Sequence, residues 1–161
     1  MSAGLPGEPT RREVARVLPV SSKGTVLLLL GCDPAVPDNR YWFTIGGAVD
    51  AGESLAEAGA RELREETGIV LEAAAMGEPF GTFEVTFSWN GRDYLNESTL
   101  FATAVEEQSV SLAGLDLLES QSIFEARWWS PDHLDQAGGA VDPRLTDQMR
   151  AAITHVREGQ R

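Results

Sequence analysis

The chain has 161 residues and carries 25 acidic against 13 basic side chains, a formal net charge of −12. This length suits one domain with a sizeable core. A surface this acidic repels DNA and RNA, so no nucleic-acid partner is expected. Cys32 is the only cysteine, which excludes an intrachain disulfide and a cysteine-based zinc cluster. No stretch approaches the ~20 apolar residues of a membrane span, so no membrane partner is expected either.

The first part of the chain reads as a flexible segment followed by three strands. Residues 1–11 are rich in Gly, Pro and polar side chains and lack the apolar core of a secretory signal. We expect a flexible N-terminus there, a single domain over residues 12–158 and a cytoplasmic protein. Alternating and β-branched runs predict strands over residues 13–20, 25–30 and 41–45, the last of them ended by two glycines.

The next segment, residues 54–67, carries the strongest helix signals in the chain. Ser54 and Glu57 form a capping box, and Gly68 supplies the stop. The remaining elements are a hairpin of strands over residues 81–89 and 94–105 around Asn-Gly, a strand over 124–129, a short helix after Pro131 and a helix over 144–158. This order of elements predicts an α/β fold in which helices cover a mixed sheet.

Residues 47–69 concentrate the chemistry, in the pattern G-x5-E-x7-R-E-L-x-E-E-x-G-I. On a helix, Glu62, Glu65 and Glu66 fall within roughly a third of the circumference. Their charges repel one another, and they lie near the helix C-terminus, where the macrodipole disfavours negative charge. Two stability rules are broken together, which is typical of a functional site. Hard divalent cations bound by carboxylate oxygens would remove both objections.

The pattern resembles the Nudix (MutT-like) box and matches it at all nine specified positions. The resemblance extends more weakly over roughly residues 12–135. It implies an α/β/α sandwich with a mixed, curved β-sheet that presents the box as a loop and a helix. It also implies cleavage of a diphosphate bond with Mg²⁺, for which Mn²⁺ can substitute. The implied substrate is a small nucleoside di- or triphosphate, or a nucleoside diphosphate linked to another moiety.

The resemblance also assigns roles within the box. It implies that Glu62, Glu65 and Glu66 bind the metal, and that Glu53 and Arg61 pair across the loop and helix to orient them. Just before and at the start of the box, Gly46 is the expected additional metal ligand, and Gly47 allows close approach of a phosphate. Family members commonly have Pro-Gly-Gly here, whereas this chain has Ile-Gly-Gly.

Outside the box, the sequence leaves several assignments open. Many family members use a further glutamate, but the frequent position for it is Ser122 here. The alternatives are Glu119, Glu125 and Glu97. Four arginines lie on or beside strands that should border the substrate, and an aromatic side chain can stack on a base. From these sets we take Arg40, Arg127 and Trp128 as candidates for substrate binding, with Arg16 and Arg92 as the remaining arginines.

Signals of the substrate subgroup are mostly missing. The proline of the ADP-ribose subgroup, the tyrosine of the dinucleoside polyphosphate subgroup and the NADH-type array are all absent from their expected places. Two other functions stay open: a regulatory binding module without turnover, and a Nudix-type isopentenyl diphosphate isomerase, for which Cys32 would be the only available cysteine. Dimerisation is common in the family, and no feature of the sequence demands a homodimer.

Overall fold

The computed structural model describes residues 7–160. In chain order, the elements are β1 (Thr10–Val20), β2 (Val26–Cys32), β3 (Arg40–Phe43), β4 (Ile45–Ala48), α1 (Leu55–Thr67), a 3₁₀ turn (Ala73–Met76), β5 (Gly81–Trp89), β6 (Arg92–Ala104), α2 (Leu117–Ser122), β7 (Ile123–Trp129), α3 (Pro131–Ala137) and α4 (Leu145–Gly159). The predicted N-terminal segment falls largely on residues 1–6, which lie outside the described residues, and β1 begins at Thr10.

The seven strands form one mixed sheet in which β1 is central. Strand β1 pairs in parallel with β6, which pairs antiparallel with β5. The other edge of β1 pairs antiparallel with β4. Strand β2 lies between β3 and β7 and meets β1 at the pair Val20 and Val26. The sheet therefore divides beside β1, where β4 and β2 follow one another along the same strand.

The prediction of one strand over residues 41–45 is wrong, because two strands lie there. Thr44 separates β3, which pairs with β2, from β4, which pairs with β1. Gly46 and Gly47 do not end a strand but lie within β4. A side chain at Gly46, whose φ is +144°, would collide with the carbonyl of Ala15. The glycine therefore lets β4 lie close against β1.

Helices cover both faces of the sheet, as the resemblance implied. Ala58 and Leu63 of α1 share one core with Val17 of β1. The next residue of β1, Leu18, belongs to a second core with Met149 of α4. Successive strand side chains point to opposite faces, so this change of core across one residue identifies the two layers. The fold is an α/β/α sandwich. In the described part of the chain, no helix is long and apolar enough to cross a membrane.

Candidate active site

The helix that carries the acidic side chains is fixed at both ends by the predicted signals. The Ser54 hydroxyl accepts a hydrogen bond from the Glu57 amide at 3.1 Å, and the Glu57 carboxylate accepts one from the Ser54 amide at 3.1 Å. Gly68 ends the helix in the left-handed conformation, with φ of 78°. These caps set where α1 begins and ends, and thereby which residues face β4.

Arg61 ties the loop before α1 to the helix. Its Nε and Nη2 donate to the two oxygens of Glu53 at 2.8 and 3.0 Å, and Nη2 also donates to the Ala48 carbonyl at 3.1 Å. This bidentate pair lowers the pKa of Glu53 and raises the pKa of Arg61. The contact predicted between Glu53 and Arg61 is therefore present.

Three carboxylates converge beside this network. Oxygens of Glu62, Glu66 and Glu119 lie within 4.8 Å of one another. Glu66 is only 2% exposed and accepts a hydrogen bond from the Gly46 amide at 3.2 Å. Burial, together with the adjoining Glu62, raises the pKa of Glu66 well above its usual value. Glu62 and Glu66 are thus held close together in the protein interior, where ionisation of both is unfavourable.

Gly47 is the reason that Glu62 can take this position. A Cβ placed on Gly47 would lie 2.6 Å from Oε1 of Glu62, well inside van der Waals contact. Any side chain there would push the carboxylate away from the group. The second glycine of β4 therefore leaves the space beside the strand that the Glu62 carboxylate occupies.

The donor set of this cluster fits a hard divalent cation. All three side chains offer carboxylate oxygens, which Mg²⁺ prefers as ligands. Repulsion between neighbouring carboxylates makes it unfavourable for all of them to be ionised. A bound cation stabilises the ionised carboxylates and removes this cost. Arg16 offsets part of the charge, because its field opposes the rise in the pKa of Glu66.

A cleft of about 690 Å³ opens beside the cluster. One side is formed by Gly46, Glu66 and Glu119, and Arg16 lines it from β1. Nη1 of Arg16 donates to the carbonyls of Thr44 and Gly46, both at 3.3 Å. Burial lowers the pKa of Arg16. The cleft therefore brings the Arg16 guanidinium next to the acidic group.

The far side of the cleft belongs to the β5–β6 hairpin. Phe83, Val85 and Phe87 project from alternate positions of β5, and Asn96 and Ser98 project from the facing positions of β6. An apolar strip thus lies beside a short polar one, in a cleft whose opposite end is acidic.

The family model described as NUDIX domain matches residues 10–149. The chain belongs to the NUDIX domain family. This confirms the family predicted from the box and, with it, the prediction of a hydrolase. No curated protein sequence matches the chain.

Solved structures share the fold at low sequence identity. A MutT protein from Methanosarcina mazei Go1 superposes with a TM-score of 0.64 at 24% identity, covering 96% of this chain and 99% of that one. An Ap4A hydrolase from C. elegans gives 0.56 at 18% identity over 87% and 93% of the two chains. A UDP-X diphosphatase gives 0.60 at 20% identity, over 96% of this chain and 66% of that one. At these identities the likeness confirms the Nudix fold alone.

Within the Nudix box, the structure separates the three predicted metal ligands. Glu62 and Glu66 lie in the acidic cluster. Glu65 instead accepts a hydrogen bond from Nη1 of Arg61 at 3.2 Å and has a side chain that is 36% exposed. The carbonyl of Gly46, the fourth predicted ligand, accepts from Arg16. Metal binding by Glu65 and Gly46 stays a prediction.

Of the three alternatives for a further carboxylate, only Glu119 joins the cluster. Glu125 accepts from Arg127 at 2.8 Å, and Glu97 pairs with Arg11 on the exposed side of the sheet. Glu119 is the third residue of α2, a helix that the sequence interpretation missed. The signal was present, because Asp116 and Glu119 form a capping box with N–H···O distances of 2.8 and 3.3 Å.

The predicted substrate contacts outside the box are not brought to the cleft. The Arg40 guanidinium lies 3.9 Å from the centre of the Phe124 ring. Arg127 lies over Trp42 and Trp129, and Trp128 donates from Nε1 to the Gln108 carbonyl at 3.1 Å. The arginines that line the cleft are Arg16, which the sequence interpretation had considered, and Arg12, which it had not.

Proposed function

We propose that this Nudix hydrolase cleaves a diphosphate bond of a small nucleotide-type substrate with the help of Mg²⁺. The proposal rests on the carboxylate cluster of buried Glu62 and Glu66 with half-buried Glu119, which lies beside Arg16 at one end of a cleft of about 690 Å³. Cavities of about 300–1,000 Å³ hold ligands of nucleotide size. The similar structures of a MutT protein, an Ap4A hydrolase and a UDP-X diphosphatase support the same class of substrate.

The acidic group would hold the metal. Glu62, Glu66 and Glu119 would supply the carboxylate oxygens. The Gly46 amide donates to Glu66 beside them, and the Gly46 carbonyl is a further candidate ligand. When bound, Mg²⁺ neutralises the negative charge that develops on the diphosphate oxygens during hydrolysis. Manganese, which takes the same oxygen ligands, substitutes for it in this role.

Arg16 and the box network position the reacting groups. Arg16 is held by two backbone carbonyls and presents its remaining N–H groups to a phosphate oxygen in the cleft. Glu53 acts through Arg61, which fixes the side of α1 that carries Glu62. The oxygen of water forms a bond to one phosphorus while the bridging P–O bond breaks. A carboxylate of the cluster accepts the proton that water loses.

A panel assay tests this function. Purified protein is incubated with nucleoside triphosphates and nucleoside diphosphate conjugates, with and without Mg²⁺, and the products are identified by mass. We expect Mg²⁺-dependent cleavage of at least one compound between two phosphorus atoms. Glu66→Gln should lower its rate about a thousandfold, because interactions with a bound metal supply several kcal/mol of stabilisation to the transition state.

Glu72→Gln is the matched control, since Glu72 is exposed and makes no capping bond at the 3₁₀ turn. This variant should match the wild type. Absence of product from every compound, or equal activity of Glu66→Gln, contradicts the proposal. Nucleotide binding without any product would instead support a regulatory binding module.

A further inference from the structure

Two buried polar groups at the floor of the cleft have no partner in the described part of the chain. Asn96 is fully buried and Ser98 is 2% exposed, yet Nδ2 of the first and Oγ of the second make no hydrogen bond to described residues. Buried polar groups are nearly always paired, because leaving one unpaired is costly. Both residues line the cleft, so a bound ligand is the partner that the position allows.

The orientation of the Asn96 amide is decided by Arg12. Nε of Arg12 donates to Oδ1 of Asn96 at 3.0 Å. An arginine only donates, so the oxygen of the amide must face it and the NH₂ group must face the other way. Arg12 itself is held in place by the Tyr94 ring, 4.0 Å from its guanidinium carbon. Asn96 therefore presents a fixed pair of donors.

Two carboxylates that line the cleft already accept hydrogen bonds within the chain. Asp33 accepts through Oδ1 from the amides of Ala35 and Asn90, and Asp142 accepts from Arg144. The other carboxylates that line the cleft, Glu66 and Glu119, belong to the proposed metal site. Arg12 only donates, the Asn96 amide turns its NH₂ group away from Arg12, and Ser98 can donate or accept. These three side chains thus offer donors to a ligand group that carries acceptors.

The distance from the acidic cluster suits the far end of a nucleotide. Asn96 pairs with Arg12 across β1 and β6, whereas Arg16, four residues along β1, pairs with Gly46 beside the cluster. Four residues of strand span about 13 Å, which a diphosphate and a sugar together cover. Phe83 and Phe87 flank the floor from β5 and provide apolar surface for a flat ring.

We propose that Asn96 and Ser98 select a base that presents a carbonyl oxygen, so that the cleft prefers keto bases over their amino counterparts. Uracil and hypoxanthine place an oxygen where cytosine and adenine place an NH₂ group. That oxygen accepts from Nδ2 of Asn96, and the neighbouring ring N–H of the keto base donates to Oγ of Ser98. The amino group of cytosine or adenine is itself a donor, so it cannot hydrogen-bond to the NH₂ group of Asn96. This inference rests on the proposed function and names the substrate class of the same site.

The test compares matched pairs of nucleotides that differ in this one group. Values of kcat/KM are measured for UTP against CTP and for ITP against ATP. We expect the keto member of each pair to be preferred by about tenfold or more, because sites that hydrogen-bond a substrate group discriminate strongly against analogues that leave the site unpaired. Asn96→Leu removes the donors at similar volume, and Ser98→Ala removes the hydroxyl. Each variant should bring the ratio towards one.

Thr82→Ala is the control, since Thr82 is exposed on β5 and does not line the cleft. It should keep the wild-type ratio. Equal hydrolysis of both members by the wild type overturns the inference and leaves the proposed hydrolase intact. An equal fall for both members in Asn96→Leu also overturns it, because a structural role would act in this way. If that variant does not fold, as judged by its thermal melting, Ser98→Ala decides.

Equilibrium binding separates this inference from the function on which it rests. Dissociation constants of the same four nucleotides are measured with the Glu66→Gln variant and Mg²⁺. A keto preference in binding, without hydrolysis of any triphosphate or conjugate of the panel by the wild type, would support the selective floor and contradict the proposed reaction. If the two members of each pair bind equally well and the wild-type enzyme is active, the proposed hydrolysis stands. The proposed selection of keto bases by Asn96 and Ser98 is then overturned.

Discussion

On the loop–helix side of the cleft, Arg61 donates to the carboxylates of Glu53, Glu62 and Glu65 and to a backbone carbonyl, so the side chains that orient the cluster are already paired. On the hairpin side, the Asn96 NH₂ group and the Ser98 hydroxyl find no hydrogen-bond partner within residues 7–160. The side chains that orient the cluster on the first side already have their hydrogen-bond partners, and the acidic charge there favours binding of a cation. The second side is complete only with a ligand.

This difference separates the reaction from the choice of substrate. In the proposed function the loop–helix side meets the diphosphate, so a change there should alter the rate for every substrate by the same factor. In the further inference the hairpin side meets the base, so a change there should alter the ratio between substrates.

Glu66→Gln should give the largest loss of activity, and it should also raise the stability of the metal-free protein. Activity falls for all substrates together. Without metal, however, the variant should melt about 2–4 °C higher, the shift that about 1 kcal/mol gives in a domain of this size. The reason is that a buried carboxylate beside Glu62, with a raised pKa, is replaced by a neutral amide. Scanning calorimetry in the presence of a chelator measures this.

Added Mg²⁺ should stabilise the wild type and not the variant, since only the wild type binds it strongly. The melting temperatures of the two proteins should therefore converge or cross as Mg²⁺ is raised. A variant that melts lower than the wild type without metal would show that Glu66 stabilises the fold. It would contradict the claim that the acidic cluster needs a cation.

Arg61→Lys should give the next largest effect. Lysine keeps the charge but has three donors on one nitrogen, whereas Arg61 makes five hydrogen bonds from three nitrogens to Glu53, Glu62, Glu65 and the Ala48 carbonyl. Loss of an orienting partner of a metal ligand lowers metal affinity or activity about 10–100-fold. We expect a higher Mg²⁺ concentration for half-maximal rate and an equal loss for every nucleotide. Arg64→Lys, on an exposed position of α1, is the matched control.

Glu119→Gln should raise the Mg²⁺ concentration needed for half-maximal rate about tenfold. This is the lower end of the effect of changing groups around a metal site. Glu119 reaches the cluster from α2, outside the Nudix box. Glu125→Gln makes the same chemical change at a carboxylate that accepts from Arg127 on the strand beyond. Mg²⁺ titrations of both variants should separate them. An equal response would remove Glu119 from the proposed site.

The loop–helix side could be predicted from sequence because its information is local. The glycines, Glu53, Arg61 and the helical glutamates lie within one stretch of chain, and their spacing on a helix follows from its geometry. The caps at Ser54 and Gly68 were readable for the same reason, and both are present. The family pattern added the pairing of Glu53 with Arg61, which the structure contains.

Other features depended on contacts between distant segments. Thr44 interrupts an otherwise strand-like run because β3 and β4 pair with different strands, which no local pattern records. Glu119 of α2 meets Glu62 of α1 only in the folded chain, because the two residues lie far apart in the sequence. The donors of Asn96 became visible only through its bond to Arg12, 84 positions away in the chain. Arginines were chosen from sequence by closeness to strands, and strand membership does not say which face a side chain occupies.

Arg127→Ala should give the smallest effect and so marks the boundary of the site. Arg127 is about half exposed, donates to Glu125 and lies 5.2–5.3 Å from the ring centres of Trp129 and Trp42. Losing an exposed ion pair and a cation–π contact costs about 0.5–1 kcal/mol of stability. The kcat/KM values should stay at wild-type level for every nucleotide, because the residue does not line the cleft. If KM instead rises while melting is unchanged, Arg127 reaches the phosphates, and the cleft must extend past β7 to a third side that acts on the substrate.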